Sequence, residues 1–366
     1  MPGKELSSPC VDCHDVESIL TVRSRRLCRN CFVRYAGGKI VRRMEKFRRQ
    51  PKSSQYKLLL PLSYGVSSSV LLHMVYAQLE RQRANTYSPT GFDLQVLVVE
   101  PSTISAFSPA CEERFETVQK AFPAISFTQV SFHSIFEFDP NVLETLQEFA
   151  GSSFVDDPSL PALDRLEKFR RSITTSTSRT DVDNILLIRL VVAFAKASGC
   201  QTILWGDSDS RLAAKALANV AKGRGSSLTW QVSDGISPWG IEFEYPMRDL
   251  FKTELDNYAN LFPEVKSFVI PDAPISENIL TKNLSIDELM MRYVQTQGEK
   301  YPGVMANVAR TASKLQASEL RSGQCKLCGA STASAEGLTG GTTISEEREI
   351  PRFCLGCARS RPMLDN

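Results

Sequence analysis

Residues 56–80, YKLLLPLSYGVSSSVLLHMVYAQLE, decide the fold. The apolar run 58–62 reads as a short buried strand. After it come Ser63, Tyr64, Gly65, Val66, Ser67 and Ser68, a small-residue turn. Then Val70, Leu71, Leu72, Met74, Val75 and Leu79 recur at helical spacing. Strand, Gly and Ser turn, then helix is the layout of an anion cradle, because the first N–H groups of a helix have no partner within it and its dipole favours negative charge there. The same layout serves as an ordinary βα turn in any Rossmann-like domain, and this stretch alone leaves both readings open.

Outward from it, strands are predicted at 94–99, 125–130, 202–205 and 242–245. Helices are predicted at about 109–121, 142–149, 182–197, 211–222, 249–260 and 286–296. Strands alternating with helices imply an α/β domain with a parallel sheet covered on both faces. Its functional crevice belongs at the carboxyl ends of the strands, where residues 63–69 fall. Pro61 is out of place in a central strand, since it forfeits a ladder hydrogen bond. Residues 170–180, RRSITTSTSRT, read as a Ser/Thr-rich loop.

A chain of 366 residues, 42% hydrophobic and 23% charged, has a globular composition and room for one large core or two domains. The longest apolar run, 185–197, is broken by Arg189 and is too short to span a bilayer. The opening MPGKELSSPC has no apolar segment of the secretory kind, so a membrane or secretory setting is not expected. The net charge of +2 conceals an asymmetry. Residues 23–52 hold 12 Lys or Arg and a single acid, Glu45, which leaves 31 bases against 40 acids elsewhere. A basic segment on an acidic body points to a polyanion partner.

Eight of the ten cysteines form C-x-x-C pairs. Cys10/Cys13 and Cys28/Cys31 are separated by 14 residues, and four such thiolates close a tetrahedral Cys₄ zinc site. Cys325/Cys328 and Cys354/Cys357 make a second candidate Cys₄ site across a longer gap that includes a Ser, Thr, Gly and Ala-rich stretch at 329–346. A redox dithiol is the rival reading there, although no thioredoxin-like βαβ start accompanies either pair. Two structural zinc ions are the cofactors expected. After the first knuckles, 32–49 reads as a helix in two pieces broken at Gly37-Gly38, with Ile40, Val41, Met44 and Phe47 as its apolar stripe. A lone basic helix is most simply a solvated face. Beside a metal knuckle, Arg42, Arg43, Lys46, Arg48 and Arg49 become candidates for a phosphate backbone.

The turn at 63–68 resembles the PP-loop of the ATP-pyrophosphatase superfamily, whose motif is Ser-Gly-Gly-x-Asp-Ser. Ser63, Gly65 and Ser68 fit. Tyr64 stands at the first Gly, where the backbone takes φ values that Tyr resists. Ser67 stands at the Asp, whose charge serves a hard metal ion. With Cys₄ knuckles at both ends, the basic helix, the 206–222 turn and helix and the 246–250 segment PMRDL, the chain resembles the cytosolic tRNA 2-thiolation protein 2 family. That resemblance implies a degenerate PP-loop domain of the adenine nucleotide alpha-hydrolase-like, Rossmann-like kind.

Active members of the group adenylate uridine with ATP and pass sulfur through cysteines. Here the two places matching those cysteines, 173–179 and 267–274, hold none, and Asp207, Ser210 and Arg211 alter the GH-x-x-D-D-like turn. A hydroxyl cannot carry a persulfide. Cys111 and Cys200, the two cysteines outside the knuckles, read as buried packing residues. The expectation is therefore a cytoplasmic subunit with no catalytic residue of its own and little use for ATP. The resemblance implies that it pairs with a catalytic PP-loop partner in a heterodimer for wobble-uridine thiolation of tRNA Lys, Glu and Gln. By the same resemblance, sulfur is expected from a thiocarboxylated ubiquitin-related modifier through the partner. An active ATP-dependent enzyme and a zinc-bearing scaffold are the alternatives. The expected units are 1–54 (knuckle and basic helix), 55–265 (degenerate PP-loop domain), 266–320 (helical region) and 321–366 (second knuckle with its insertion).

Overall fold

The structure is a computed structural model that describes residues 8–48, 56–84, 91–100, 109–272, 284–315, 323–332 and 352–362. A two-residue-turn hairpin opens it, β1 (Leu20–Val22) with β2 (Arg25–Leu27). The central sheet is built from β3 (Lys57–Pro61), β4 (Asp93–Glu100), β5 (Ser126–Ser131), β6 (Thr202–Leu204), β7 (Gly235–Ile236) and β8 (Glu242–Glu244). A short pair, β9 (Gly323–Gln324) with β10 (Ser331–Thr332), lies by the second knuckle. The order across the sheet is β5-β4-β3-β6-β8-β7, parallel except for the edge strand β7.

Residue alternation on β3 divides the core. Leu58 and Leu60 face a cluster containing the helices Arg29–Arg43, Val66–Ala84 and Lys252–Leu261. Leu59 faces the opposite cluster, with Ser176–Ala197, Asp209–Ala221, Ile286–Lys300 and Pro302–Ala312. A third cluster joins Phe149, Phe169 and Leu186 to the four C-terminal cysteines. Since burial of each large side chain contributes roughly 1.5–3 kcal/mol, both knuckle modules are held by the body's own core.

Three local expectations are corrected. The first helix, Arg29–Arg43, runs unbroken through Gly37 and Gly38 and stops at Met44, ahead of the short Glu45–Arg48 turn. A glycine costs a helix interior only about 0.5–1 kcal/mol, and the buried stripe of Phe32, Ala36 and Ile40 offsets it. Residues 170–180 are not a loop. The helices Ala162–Ser172 and Ser176–Ala197 leave only 173–175 between them. Thr175 is the N-cap, its Oγ1 accepting the Ser178 N–H at 3.0 Å, so hydroxyl-rich sequence here marks a helix start. Pro61 ends β3, and of that strand only Leu58 and Leu59 pair with β6. The next N–H, of Leu62, donates to Leu97 O on β4. By alternation the missing Pro61 donor faces past the paired part of β6 and breaks no ladder bond.

Candidate functional site

β3 runs outward to β4 and β5, and β6 runs the other way to β8, so the topological switch lies between β3 and β6. Their carboxyl ends carry the 63–68 and 206–211 turns, which together open into a cleft of about 780 Å³. Ser63, Gly65, Ser67 and Ser68 line it, with Asp207, Lys215 and Lys222 on the opposite wall.

Tyr64 takes φ +58°, the left-handed region that a glycine allows without cost. The chain keeps the cradle backbone with a residue that resists it, at a cost on the order of 1–2 kcal/mol. The Tyr64 ring is buried beneath the Arg114 guanidinium, 5.7 Å from the ring centroid, and its carbonyl accepts the Ile270 N–H at 2.8 Å. Ser63 and Ser68 hydroxyls lie 3.1 Å apart, and Ser68 also donates to Gly65 O at 3.1 Å. Gly206 packs so tightly on this loop that a Cβ there would lie 2.6 Å from Ser68 Cα. That contact fixes the two turns against each other.

The cleft's acids are mostly engaged. Asp207 accepts from Lys215 Nζ at 2.5 Å and pairs with Arg211 at 3.5 Å. Lys222 Nζ reaches Asp181 and Asp287, each at 2.8 Å. Lys252 holds Asp256 at 3.2 Å and Asp272 at 3.1 Å. Asp209 is buried, and burial pushes its carboxyl up to about 6 against a Ser210 hydroxyl bond of 2.9 Å. Of the two cysteines outside the knuckles, Cys200 precedes β6 at the strand's amino end, away from the cleft, and burial raises its thiol. Cys111 lies in the first turn of Pro109–Ala121; its side chain is outside the described residues.

Both cysteine quartets assemble. In each, the four sulfurs lie within 4.8 Å of one another. A tetrahedral ion with metal–sulfur bonds of about 2.3 Å needs sulfurs about 3.8 Å apart. Cys13 and Cys28 are separated by 3.8 Å and Cys328 and Cys354 by 3.6 Å. Both sets can therefore hold a metal ion, which would supply a structural cross-link.

The basic helix meets an unexpected anion. Arg43 donates to Asp249 at 2.9 Å and to Asp234 at 3.4 Å. Lys46 pairs with Glu242 at 2.8 Å and also with Glu244. Arg23, from the β1–β2 turn, donates to Glu254 at 2.9 Å and lies 3.8 Å over the Phe251 ring. Part of the basic segment thus neutralises the acidic body of its own chain. Arg42 stays exposed, while the Arg48 side chain and all of Arg49 lie outside the described residues.

Sequence reasoning missed a charge network between the cleft and the second quartet, buried at Arg224, Asp181 and the Lys222 side chain and part-exposed at Asp287. No motif marks it, because its members lie far apart in the chain.

Residues 285–358 match the family model described as cytoplasmic tRNA 2-thiolation protein 2. A curated protein of that description from Neosartorya fischeri is 59% identical, covering 100% of both chains. One from Aspergillus oryzae is 58% identical over 99% of each. Among solved structures, the U34-tRNA thiolase NcsA from Methanococcus maripaludis, with its 4Fe–4S cluster, superposes with a TM-score of 0.54. The identity is 14%, over 90% of this chain and 93% of that one, so the likeness concerns the fold alone, an α/β domain on a mostly parallel sheet.

Proposed function

The chain belongs to the cytoplasmic tRNA 2-thiolation protein 2 family, and from that premise we propose that it is a non-catalytic, cytoplasmic subunit of a tRNA 2-thiolation complex. Its companion is a catalytic PP-loop protein in a heterodimer. The product is the 2-thiolated wobble uridine of tRNA Lys, Glu and Gln, and a thiocarboxylated ubiquitin-related modifier supplies sulfur through the companion. Zinc fills both Cys₄ sites as a structural ion.

The observation that carries this reading is the cradle. Ser67 stands where a metal-binding Asp would stand, and lysines or an arginine already hold most cleft acids. A Mg²⁺ ion drawn to this floor would have to displace those cations, a desolvation and pairing cost with no free carboxylate pair to offset it. Among the described residues, none that lines the cleft is a cysteine that could carry sulfur. The chain then contributes shape and charge to tRNA binding, with exposed Arg42 and its neighbours Arg48 and Arg49 on phosphates and Arg43 and Lys46 shared with the body.

Titration of the isolated chain with ATP and Mg²⁺ tests it. No saturable micromolar binding and no pyrophosphate release are expected, while tRNA and a second PP-loop protein co-purify from cells. Glu at Arg42, Arg43, Arg48 and Arg49 should abolish tRNA retention; retention unchanged would favour a scaffold with no RNA role. A second reading, an ATP-dependent enzyme, draws on the left-handed backbone kept at Tyr64. Pyrophosphate released by the lone chain would establish it.

A further inference from the structure

Arg224 has the largest fully buried side chain of the described residues, 1% exposed. Its guanidinium has two customers. Nη1 lies 3.2 Å from Cys357 Sγ and 3.7 Å from Cys354 Sγ. Nε donates to Asp181 at 2.8 Å, and Nη2 contacts the same carboxylate. Asp181 in turn accepts the Ser360 hydroxyl at 3.1 Å, from the helix Leu355–Ser360 that carries Cys357. Its other oxygen takes Lys222 Nζ, which also grips both oxygens of Asp287 at 2.8 Å. Asp287 sits in the first turn of Ile286–Lys300, and Asp181, Lys222 and Asp287 all line the cleft.

Four thiolates around a divalent ion leave a net charge of about −2, and burying that charge without compensation is costly. A planar fork with five donors turns one edge to the sulfurs and another to the carboxylate, a spread that the compact point charge of an ammonium does not have. The seat is shaped for it: a Cβ on Gly356 would lie 2.4 Å from Arg224 Cγ. At the N-terminal quartet no Arg or Lys nitrogen lies within hydrogen-bond reach of a sulfur among the described residues.

We propose that Arg224 is a positioning residue that couples occupancy of the C-terminal Cys₄ site to the shape of the cleft, through Asp181, Lys222 and Asp287. A metal ion fixes Cys354 and Cys357, the sulfurs hold the guanidinium, and the guanidinium holds Asp181. Asp181 and Asp287 then share Lys222, which pins the start of one cleft wall. The coupling does not depend on whether this chain is catalytic.

The test uses the full chain loaded with zinc at both sites. Release to a chelator is followed in time, and the C-terminal phase is the one missing from Cys357→Ser. Arg224→Met should speed that phase roughly 10–100-fold, the usual effect of removing a residue that supports metal ligands, and leave the N-terminal phase unchanged. Arg224→Lys, which keeps the charge without the fork, should not rescue it. Hydrogen exchange reads the other end: selective loss of the C-terminal zinc should raise exchange at 285–290. In Lys222→Met zinc release stays at the wild-type rate, but exchange at 285–290 no longer responds to it. Should Arg224→Met fail to fold, the near-isosteric Asp181→Asn carries the same release measurement. Wild-type release from these variants, or exchange at 285–290 indifferent to the metal, would overturn the proposal.

Discussion

The two ends of this chain carry the same motif in different seats. At the N-terminus, 14 residues separate the C-x-x-C pairs, Cys13 is only partly buried, and the module clasps the body through Arg23, Lys39, Arg43 and Lys46. At the C-terminus all four cysteines are buried, and a buried guanidinium touches two of the sulfurs. Both quartets pack on the core, but the N-terminal module adds part-exposed charge pairs, which water and salt screen. The C-terminal one adds a buried guanidinium, where an unpaired charge is costly. Equal motifs therefore do not mean equal stability.

The largest contrast should come from the ligands. Cys357→Ser should remove one metal ion per chain and cost roughly 3–5 kcal/mol, because it unmakes the cross-link and strips the buried Arg224 of its nearest sulfur. Cys13→Ser should also lose one ion, at about 1–2 kcal/mol, within the range of ordinary point changes. Metal stoichiometry with urea unfolding measures both, and equal losses would erase the comparison.

Next is a dependence on pH. Burial raises Asp209 to about 6, Glu254 of the clasp adds to the rise, and Ser210 and Arg23 oppose it. Its folded value lies above its unfolded one, so its stabilising contribution is complete below about pH 4 and is lost as pH rises through 6. Asp209→Asn should remove up to about 3 kcal/mol of the change in unfolding free energy between pH 4 and 7, read from urea titrations. An unchanged slope would show that the carboxyl is solvated.

The same glycine-to-alanine change should have opposite signs at the two ends. Gly356→Ala drives a Cβ into Arg224 and should cost about 1–3 kcal/mol. Gly37→Ala meets nothing within 4 Å in a helix interior and should gain about 0.5–1 kcal/mol. Thermal unfolding reads both. The smallest effect is Asp249→Asn, which strips Arg43 of a partner. It should cost about 0.2–1 kcal/mol, vanish at high salt, and raise hydrogen exchange only in Arg29–Arg43.

Much of the sheet was legible, since β3, β4, β5, β6 and β8 each announce themselves as short apolar or β-rich runs and the helix Pro109–Ala121 falls where its spacing puts it. The short hairpin β1–β2 was not. Its turn residues, Arg23 at φ +47° and Ser24 at φ +70°, are neither Gly nor Asn, so the usual turn signal is missing. Arg23 bears that backbone in a turn that carries its guanidinium to Glu254 and Phe251, contacts more than 200 residues along the chain.

By itself the sequence determined the periods, the cradle turn and both cysteine quartets, because these depend on residues close together along the chain. Only the tertiary structure decided where the charges go. Arg43 and Lys46 look free for a polyanion until Asp234, Asp249 and Glu242 are brought to them, and Arg224 looks like a loop arginine until Asp181 and Cys357 surround it. Coulombic pairing acts across space with no periodicity along the backbone, so a one-dimensional pattern leaves no trace of it.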